Sequence, residues 1–230
     1  YFISDAKPSC VIPIEAVSKK QPHPIWICLV VGSVSGNIRE VSTKSNLRYS
    51  TANAERTVQL GLNLGLKKWG FHTSMSFSDF EDLKMGKTDI QEYLTPFYVT
   101  QRNNQDILMP NHNPRIQKHT GFSQLHLAQK AVFKPSETLT FDFGLHYTTT
   151  SNIPRYDRLV VQNSDNSLKY AEWDYGPQQW LLANFQVTKL SSRSNFYDKI
   201  KTTLAYQYFG ESRISRKFES VSRKSRAEKV

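Results

Sequence analysis

The chain has 230 residues, of which 38% are hydrophobic and 12% aromatic, and its formal net charge is +10. This length accommodates one large domain or two small ones and is sufficient to bury a core. No stretch approaches the roughly 18 apolar residues of a membrane-spanning helix. The two cysteines, Cys10 and Cys28, match no metal-binding motif and allow at most one disulfide.

The longest apolar stretch, IWICLVVGSVSG, lies at residues 25–36. Because the sequence begins at Tyr1 and not at methionine, we do not interpret this stretch as a signal peptide and expect the chain to be a fragment. Regular strand patterns begin only beyond it.

The first predicted strands lie between residues 41 and 80. A strand near 41–49 is expected to join the next one through the polar loop STANAER. In TVQLGLNLGLKKWGFHTSMSFSDF, at 57–80, large residues alternate with small or polar ones on both sides of a turn at Lys67 and Lys68. The face with the larger side chains carries Val58, Leu60, Leu62, Leu64, Leu66, Phe71, Thr73, Met75 and Phe77. The pattern predicts an antiparallel hairpin with one apolar and one polar face.

Two further hairpins follow the same alternation. The first joins SQLHLAQKAVF to LTFDFGLHY through the turn KPSET. A turn centred on position 136 would set Phe133 opposite Leu139, Lys130 opposite Asp142, and polar-face residue 126 opposite 146. The second joins WLLANFQVTKL to KIKTTLAYQYF.

The apolar face of these strands is compatible with two architectures. In a soluble sandwich it packs against a second sheet, whereas in a membrane barrel it contacts lipid and the polar face lines a wet lumen. Short turns alternate with long polar connections at 79–121, at 149–179 and from about residue 210, and strands of about 10 residues match a tilted bilayer crossing. We therefore predict an all-β fold, namely a segment of an antiparallel transmembrane β-barrel with about seven strands and long extracellular loops. A soluble β-rich binding module is the alternative.

Positive charge is concentrated in the C-terminal segment SRISRKFESVSRKSRAEKV. A solvated loop or cut strand, contact with anionic lipid headgroups, and a basic nucleic-acid-binding protein are the three interpretations. We predict no nucleic-acid partner, because the helix and aromatic motifs of nucleic-acid modules do not accompany the charge.

Several stretches are distinctive beyond their periodicity, among them LGLKKWGFHTSMSFSDFEDLKMG, TPFYV, SNIPRYDRL and AEWDYGPQ. They resemble the barrel of TonB-dependent outer-membrane receptors, in particular the siderophore, haemin and cobalamin receptor branch of Bacteroidetes type. The resemblance covers residues 36–230, which we interpret as a partial receptor barrel. Residues 1–35 match it poorly and are interpreted either as a remnant of the plug end or as a different reading frame.

The resemblance implies a barrel of about 22 strands around an N-terminal plug domain, in the outer membrane of a Gram-negative bacterium. We expect no cofactor. Such receptors bind a scarce ligand, an iron-siderophore, haem or cobalamin, and import it with energy that the TonB complex transmits through the plug. We expect the plug to be absent from this chain, which alone should neither close into a barrel nor transport.

Candidate ligand-binding residues lie in the long connections. His112, Arg115 and His119 belong to PNHNPRIQKH, where imidazole suits iron or haem and arginine suits a carboxylate. Arg155 begins the next long connection in SNIPRYDRL. A solvated polar loop is the alternative interpretation of the first set, and the one we favour, while Arg155 could instead hold its loop against the barrel wall.

The polar face offers one further pair and no catalytic set. His126 and His146, if directly opposed in the lumen, could share a metal, but no third ligand is evident and we predict no metal site. Asp142 lies about 13 Å along the strand from His146, too far for a direct hydrogen bond. No nucleophile elbow, phosphate loop or zinc-helix motif is present. We predict that the chain is not an enzyme.

Overall fold

The computed structural model describes residues 38–86, 90–191 and 196–229. Antiparallel strands make up most of this part of the chain, which confirms the predicted all-β class. Its helices are one 3-10 turn, Gln91–Tyr93, and the four-residue α1, Tyr156–Leu159. No helix in the described ranges is long and apolar enough to cross a membrane. The separate N-terminal region predicted at 1–35 lies outside the described residues.

The described ranges contain fourteen strands. They are β1 (Ile38–Ser50), β2 (Glu55–Leu66), β3 (Trp69–Phe80), β4 (Leu83–Lys84), β5 (Phe97–Arg102), β6 (Gln105–Pro110), β7 (Ile116–Gln117), β8 (Phe122–Ser136), β9 (Leu139–Thr150), β10 (Ile153–Pro154), β11 (Tyr170–Tyr175), β12 (Gln179–Leu190), β13 (Lys199–Lys217) and β14 (Arg223–Lys229).

Seven long strands form a continuous antiparallel main sheet in the order β1-β2-β3-β8-β9-β12-β13. Beyond Gly210, β13 pairs with both β11 and β14, and β10 extends the sheet from β11. The described strands do not close into a barrel, because β1 pairs only with β2 and the first half of β13 pairs only with β12. The β2–β3, β8–β9 and β12–β13 connections lie at one end of the main sheet, which we call the turn end. The opposite end, the loop end, carries the short β1–β2 turn and the long connections.

The three predicted hairpins are present, and their registers align the apolar faces. Val58 lies opposite Phe77 in the first hairpin and Leu181 opposite Tyr208 in the third. Across the sheet this pairing produces rows of neighbouring apolar side chains, for example Leu60, Met75, Leu127, Tyr147 and Leu181. The opposite face carries polar ladders, in which His72 contacts the Asn63 side chain at 2.6 Å. The sheet is therefore amphipathic over its whole width.

The register of the middle hairpin differs from the predicted one by two residues. Phe133 lies opposite Phe141, not Leu139, and a bulge separates the Phe133 and Ser136 pairings. The bulge contains Pro135, which has no N–H to donate to the ladder. A shift of two residues keeps every side chain on its predicted face.

The shift removes the predicted cross-strand pairs. Lys130 lies opposite Gly144, whereas Asp142 lies opposite Val132, so the two charges are not a direct pair. Likewise, Thr148, and not a second histidine, lies opposite residue 126.

The apolar face has no partner layer among the described residues. Leu60 and Leu204 are 47% and 68% exposed, and many of their apolar neighbours on this face are exposed to a similar extent. The only buried hydrophobic residues of the described ranges are Val99 and Ile214, which lie outside the seven-strand rows. Within the described ranges, the main sheet consequently has no core of its own.

Aromatic side chains line the apolar face near the turn end. Trp69 stacks on Phe71 and Phe133, with ring centroids 5.7 and 4.3 Å apart, and Phe141 continues the series to Phe185 at 6.2 Å. We call Trp69, Phe71, Phe133, Phe141 and Phe185 the aromatic band.

The long connections are more ordered than the sequence indicates. The first contains β4 to β7 and the second contains β10, α1 and β11. The third predicted loop does not begin near Gly210, because β13 continues to Lys217 and turns back into β14. We call the described residues of these connections, at 81–86, 90–121, 151–178 and 210–229, the loop layer.

The register of the middle hairpin can be tested by disulfide cross-linking. In a chain with Cys10 and Cys28 replaced by serine, His126→Cys combined with Thr148→Cys should oxidise readily, because opposed Cβ atoms lie within disulfide range. His126→Cys combined with His146→Cys should oxidise far more slowly, since these positions are diagonal neighbours. Faster cross-linking of the second pair would instead support the register predicted from the sequence, with the turn centred on position 136.

Candidate functional site

A buried ion pair joins two hairpins of the loop layer. Arg216 on β13 donates two hydrogen bonds to the carboxylate of Asp106 on β6, at 2.6 and 2.7 Å. The side chains are only 11% and 1% exposed, respectively. The Glu219 amide also donates to Asp106. The Arg216 guanidinium holds the pKa of Asp106 below its ordinary value, so this carboxylate stays ionised and the hairpins stay linked.

A second contact holds the two long connections together. Tyr156 donates its hydroxyl hydrogen to Thr95 Oγ1 at 2.9 Å, and Asn111 Nδ2 donates to the carbonyl oxygens of Thr95 and Ile116. Asn111 is buried, and its side-chain amide donates hydrogen bonds to these two carbonyl oxygens in place of backbone N–H groups. The loop layer is therefore tied together by side chains from each connection.

An open cavity of about 710 Å³ lies within the loop layer. Its lining comes from the β5–β6 hairpin, from β11 and from the β13–β14 hairpin, and includes Gln101, His119, Glu172, Asp174, Arg216 and Arg223. This volume is in the range of small-molecule sites in proteins. The lining is polar and carries both signs of charge.

The two carboxylates of β11 differ in how they are neutralised. Glu172 accepts hydrogen bonds from Arg223, the shortest at 2.7 Å. Asp174 is only 9% exposed and accepts one long hydrogen bond from Asn152 at 3.4 Å. Burial, followed by the neighbouring charge of Glu172, raises the pKa of Asp174 to about 6. Asp174 is thus a carboxylate of the cavity wall that is ionised only in part near pH 6.

Among the predicted ligand-binding residues, only His119 lines this cavity. Its backbone is left-handed, with φ 63°, and its Nε2 lies 2.8 Å from the Val99 carbonyl oxygen. The ring also packs edge-on against Tyr98. If Nε2 carries the proton it donates to Val99, which leaves Nδ1 as the nitrogen for a ligand.

The other residues of the same predicted set have different positions. His112 is exposed. Arg115 donates from Nη1 to the Gly86 carbonyl oxygen at 3.0 Å, and its own carbonyl accepts from Met85. Neither His112 nor Arg115 lines the cavity, and the structure does not bring them together with His119 around one point.

Arg155 contacts its own loop and the wall next to it. Its guanidinium binds Asp157, donates to the Tyr175 hydroxyl at 3.1 Å and lies 4.7 Å from the centre of the Trp173 ring. The Asp157 carboxylate raises the pKa of Arg155 further above its ordinary value, and Arg155 lowers that of Asp157. These contacts are those expected of a residue that positions the loop.

The predicted histidine pair is not directly opposed. His126 Nδ1 lies 2.9 Å from Thr148 Oγ1, whereas His146 lies opposite Ala128 and Leu182. Both histidines remain on the polar face because the register shift is an even number of residues. No group of three or more His, Cys, Asp or Glu side chains in the described ranges is arranged to hold a metal ion.

The contacts that build the cavity were not identifiable from the sequence. Asp106 and Arg216 are separated by 110 positions, and Glu172 and Arg223 by 51. The only indication in the sequence was the concentration of positive charge in the C-terminal segment, which does not show the carboxylates with which these residues pair.

Neither protein-family models, nor curated proteins, nor solved structures give a significant match to this chain.

Removing the buried charge of Asp106 should release the β5–β6 hairpin. Asp106→Asn leaves Arg216 buried without its counterion, so we expect local opening to become easier by about 3 kcal/mol. Hydrogen exchange of 97–110 and 210–229 at pH 7 measures this, with the exposed Asp198→Asn as the matched control. Because the pKa of Asp106 is lowered, wild type should retain this stabilisation above pH 4 and lose it at lower pH. Equal exchange in both variants would contradict a linking role.

Asp174→Asn should stabilise its part of the loop layer, unlike Asp106→Asn, and the size of this effect should depend on pH. A carboxyl whose pKa is raised by folding costs stability when ionised, so the cost is present above about pH 6 and disappears towards pH 4. We expect Asp174→Asn to stabilise this region at pH 8 by roughly 1–2 kcal/mol, after allowance for solvent screening in the open cavity, and so to slow hydrogen exchange of the amides of Ile153 and residues 170–175. The difference from wild type, measured at the same pH, should vanish near pH 4. Asp165→Asn serves as the control, and a difference that persists at pH 4 would contradict the cause.

Proposed function

We propose that the chain forms part of the wall and extracellular loops of a TonB-dependent outer-membrane receptor. The receptor would bind a scarce ligand, an iron-siderophore, haem or cobalamin, and import it with energy from the TonB complex acting through a plug domain. The observation that carries the proposal is the exposed apolar face of the main sheet, which has a polar face opposite it.

The size of the apolar face supports lipid as its solvent. Burying a side chain such as Leu60, Leu62 or Leu204 contributes about 1.5–3 kcal/mol, and the face contains several rows of such residues. Soluble monomers rarely expose contiguous apolar patches of this kind. Lipid would cover the face without requiring a second protein layer, while water in a lumen would solvate the Asn, Ser, Thr and His face.

The ends of the strands fit the same environment. The aromatic band lies where the wall would meet an interface, as in the aromatic girdles of outer-membrane barrels. The unpaired backbone groups of β1 and of the first half of β13 could not remain unpaired within hydrocarbon. The proposal therefore includes further strands that pair with both edges in the complete receptor.

The loop layer supports a binding role at the loop end. Its hairpins are held by Asp106, Arg216 and Tyr156, so the 710 Å³ cavity is formed before any ligand arrives. A preformed cavity costs less ordering entropy on binding than mobile loops do. His119 is the predicted residue best placed to contact a ligand there, and we propose neither an enzymatic role nor a nucleic-acid partner.

Labels on adjacent residues test the membrane assignment. In the cysteine-free chain, Leu60→Cys and Gln59→Cys place a fluorescent label on the apolar and polar faces, respectively, one residue apart. After reconstitution into vesicles with brominated acyl chains, the label at position 60 should be quenched at least twofold more strongly than the label at 59, because only the first contacts acyl chains.

The soluble alternative predicts the reverse behaviour. A β-rich binding module would be monomeric in plain buffer, would unfold cooperatively, and would protect position 60 inside the protein. That result, or equal quenching at the two positions, would overturn the membrane proposal.

A further inference from the structure

The two ends of the main sheet differ in how their cations are neutralised. At the loop end, Arg56, Arg216 and Arg223 each pair with a carboxylate. The turn end carries five exposed lysines, which we call the turn-end lysines: Lys67, Lys68, Lys134, Lys189 and Lys199. Within the described ranges, none of them forms a salt bridge. The nearest carboxylates along the strands, Glu40, Glu137 and Asp198, form none there either.

The turn-end lysines border the aromatic band. Lys68 directly precedes Trp69, and Lys134 directly follows Phe133, the ring that stacks on Trp69. The Lys134 amide donates to the Lys68 carbonyl at 2.8 Å, which fixes these two turns side by side. Lys189 donates from Nζ to Thr138 Oγ1 in the same turn region. The five lysines therefore lie in neighbouring connections along the turn end, next to the aromatic band.

We propose that the turn-end lysines bind the phosphate groups of anionic lipid headgroups, an inference that rests on the proposed membrane function. If the aromatic band lies at the boundary of the hydrocarbon, a lysine stem reaches from it to the depth of the phosphates. The positive charge then attracts anionic lipid to the leaflet at the turn end. The adjoining apolar face favours lipid over a soluble polyanion, because a lipid occupies both surfaces at once.

Vesicle binding of paired charge variants tests this inference. The turn-end variant carries Lys67→Gln, Lys68→Gln, Lys134→Gln and Lys199→Gln, while Lys189 is kept because it contacts Thr138. The control carries Arg48→Gln, Arg56→Gln, Arg213→Gln and Arg226→Gln at the loop end, where these side chains are 46–78% exposed. Both variants lose four positive charges from a net charge of +10. Binding of the full chain is measured on phosphatidylcholine vesicles with and without phosphatidylglycerol. A phosphatidylglycerol content of roughly 30% gives the vesicles a strong negative surface potential.

Wild type and control should bind the anionic vesicles roughly tenfold or more tightly than the neutral ones at low salt, with the gain lost at about 0.5 M salt. The turn-end variant should lose most of this gain and keep its binding to neutral vesicles. Equal loss in both variants would attribute the effect to net charge and overturn the inference. Wild-type binding to neutral vesicles without any gain from phosphatidylglycerol would overturn the headgroup contact alone. Failure to bind any vesicle would contradict the membrane function as well.

Discussion

An amphipathic sheet without a second layer is the constraint on which the rest of this structure depends. Inside the sheet, backbone N–H and C=O groups form hydrogen bonds between neighbouring strands, but no described residues pack over the apolar rows. The hydrophobic effect makes such a surface unfavourable in water. In the receptor that we propose, lipid would cover this surface without a protein core, which is compatible with the low hydrophobic content of the chain.

The loop layer is stabilised by a different kind of interaction. Where the main sheet depends on the environment of its apolar face, the loop layer depends on internal pairs such as Asp106 with Arg216 and Glu172 with Arg223. A buried charge becomes costly when its partner is removed, so these pairs favour one arrangement of the hairpins. These pairs therefore also determine the shape of the cavity between the hairpins. In the cavity wall, Asp174 is the carboxylate without a cationic hydrogen-bond partner.

The sequence identified the long strands because their alternation extends over ten or more residues. The register predicted for the middle hairpin was wrong by two residues, because a symmetric turn around position 136 does not include the bulge at Pro135. The sequence also indicated a loop after Gly210, since strongly charged residues obscure a strand that pairs on both sides. The site was less predictable: His119 lines the cavity, whereas Arg155 holds its own loop through Asp157 and Tyr175.

By itself, the sequence determined the all-β class, the two faces of each long strand and the turns that join them, because side-chain direction alternates locally with a period of two. Only the tertiary structure decided the bulged register, the order of the loop layer and the ion pairs that enclose its cavity. Those features join residues as far apart as 106 and 216. Such pairs depend on how the strands are positioned in space, which no local pattern of residues specifies.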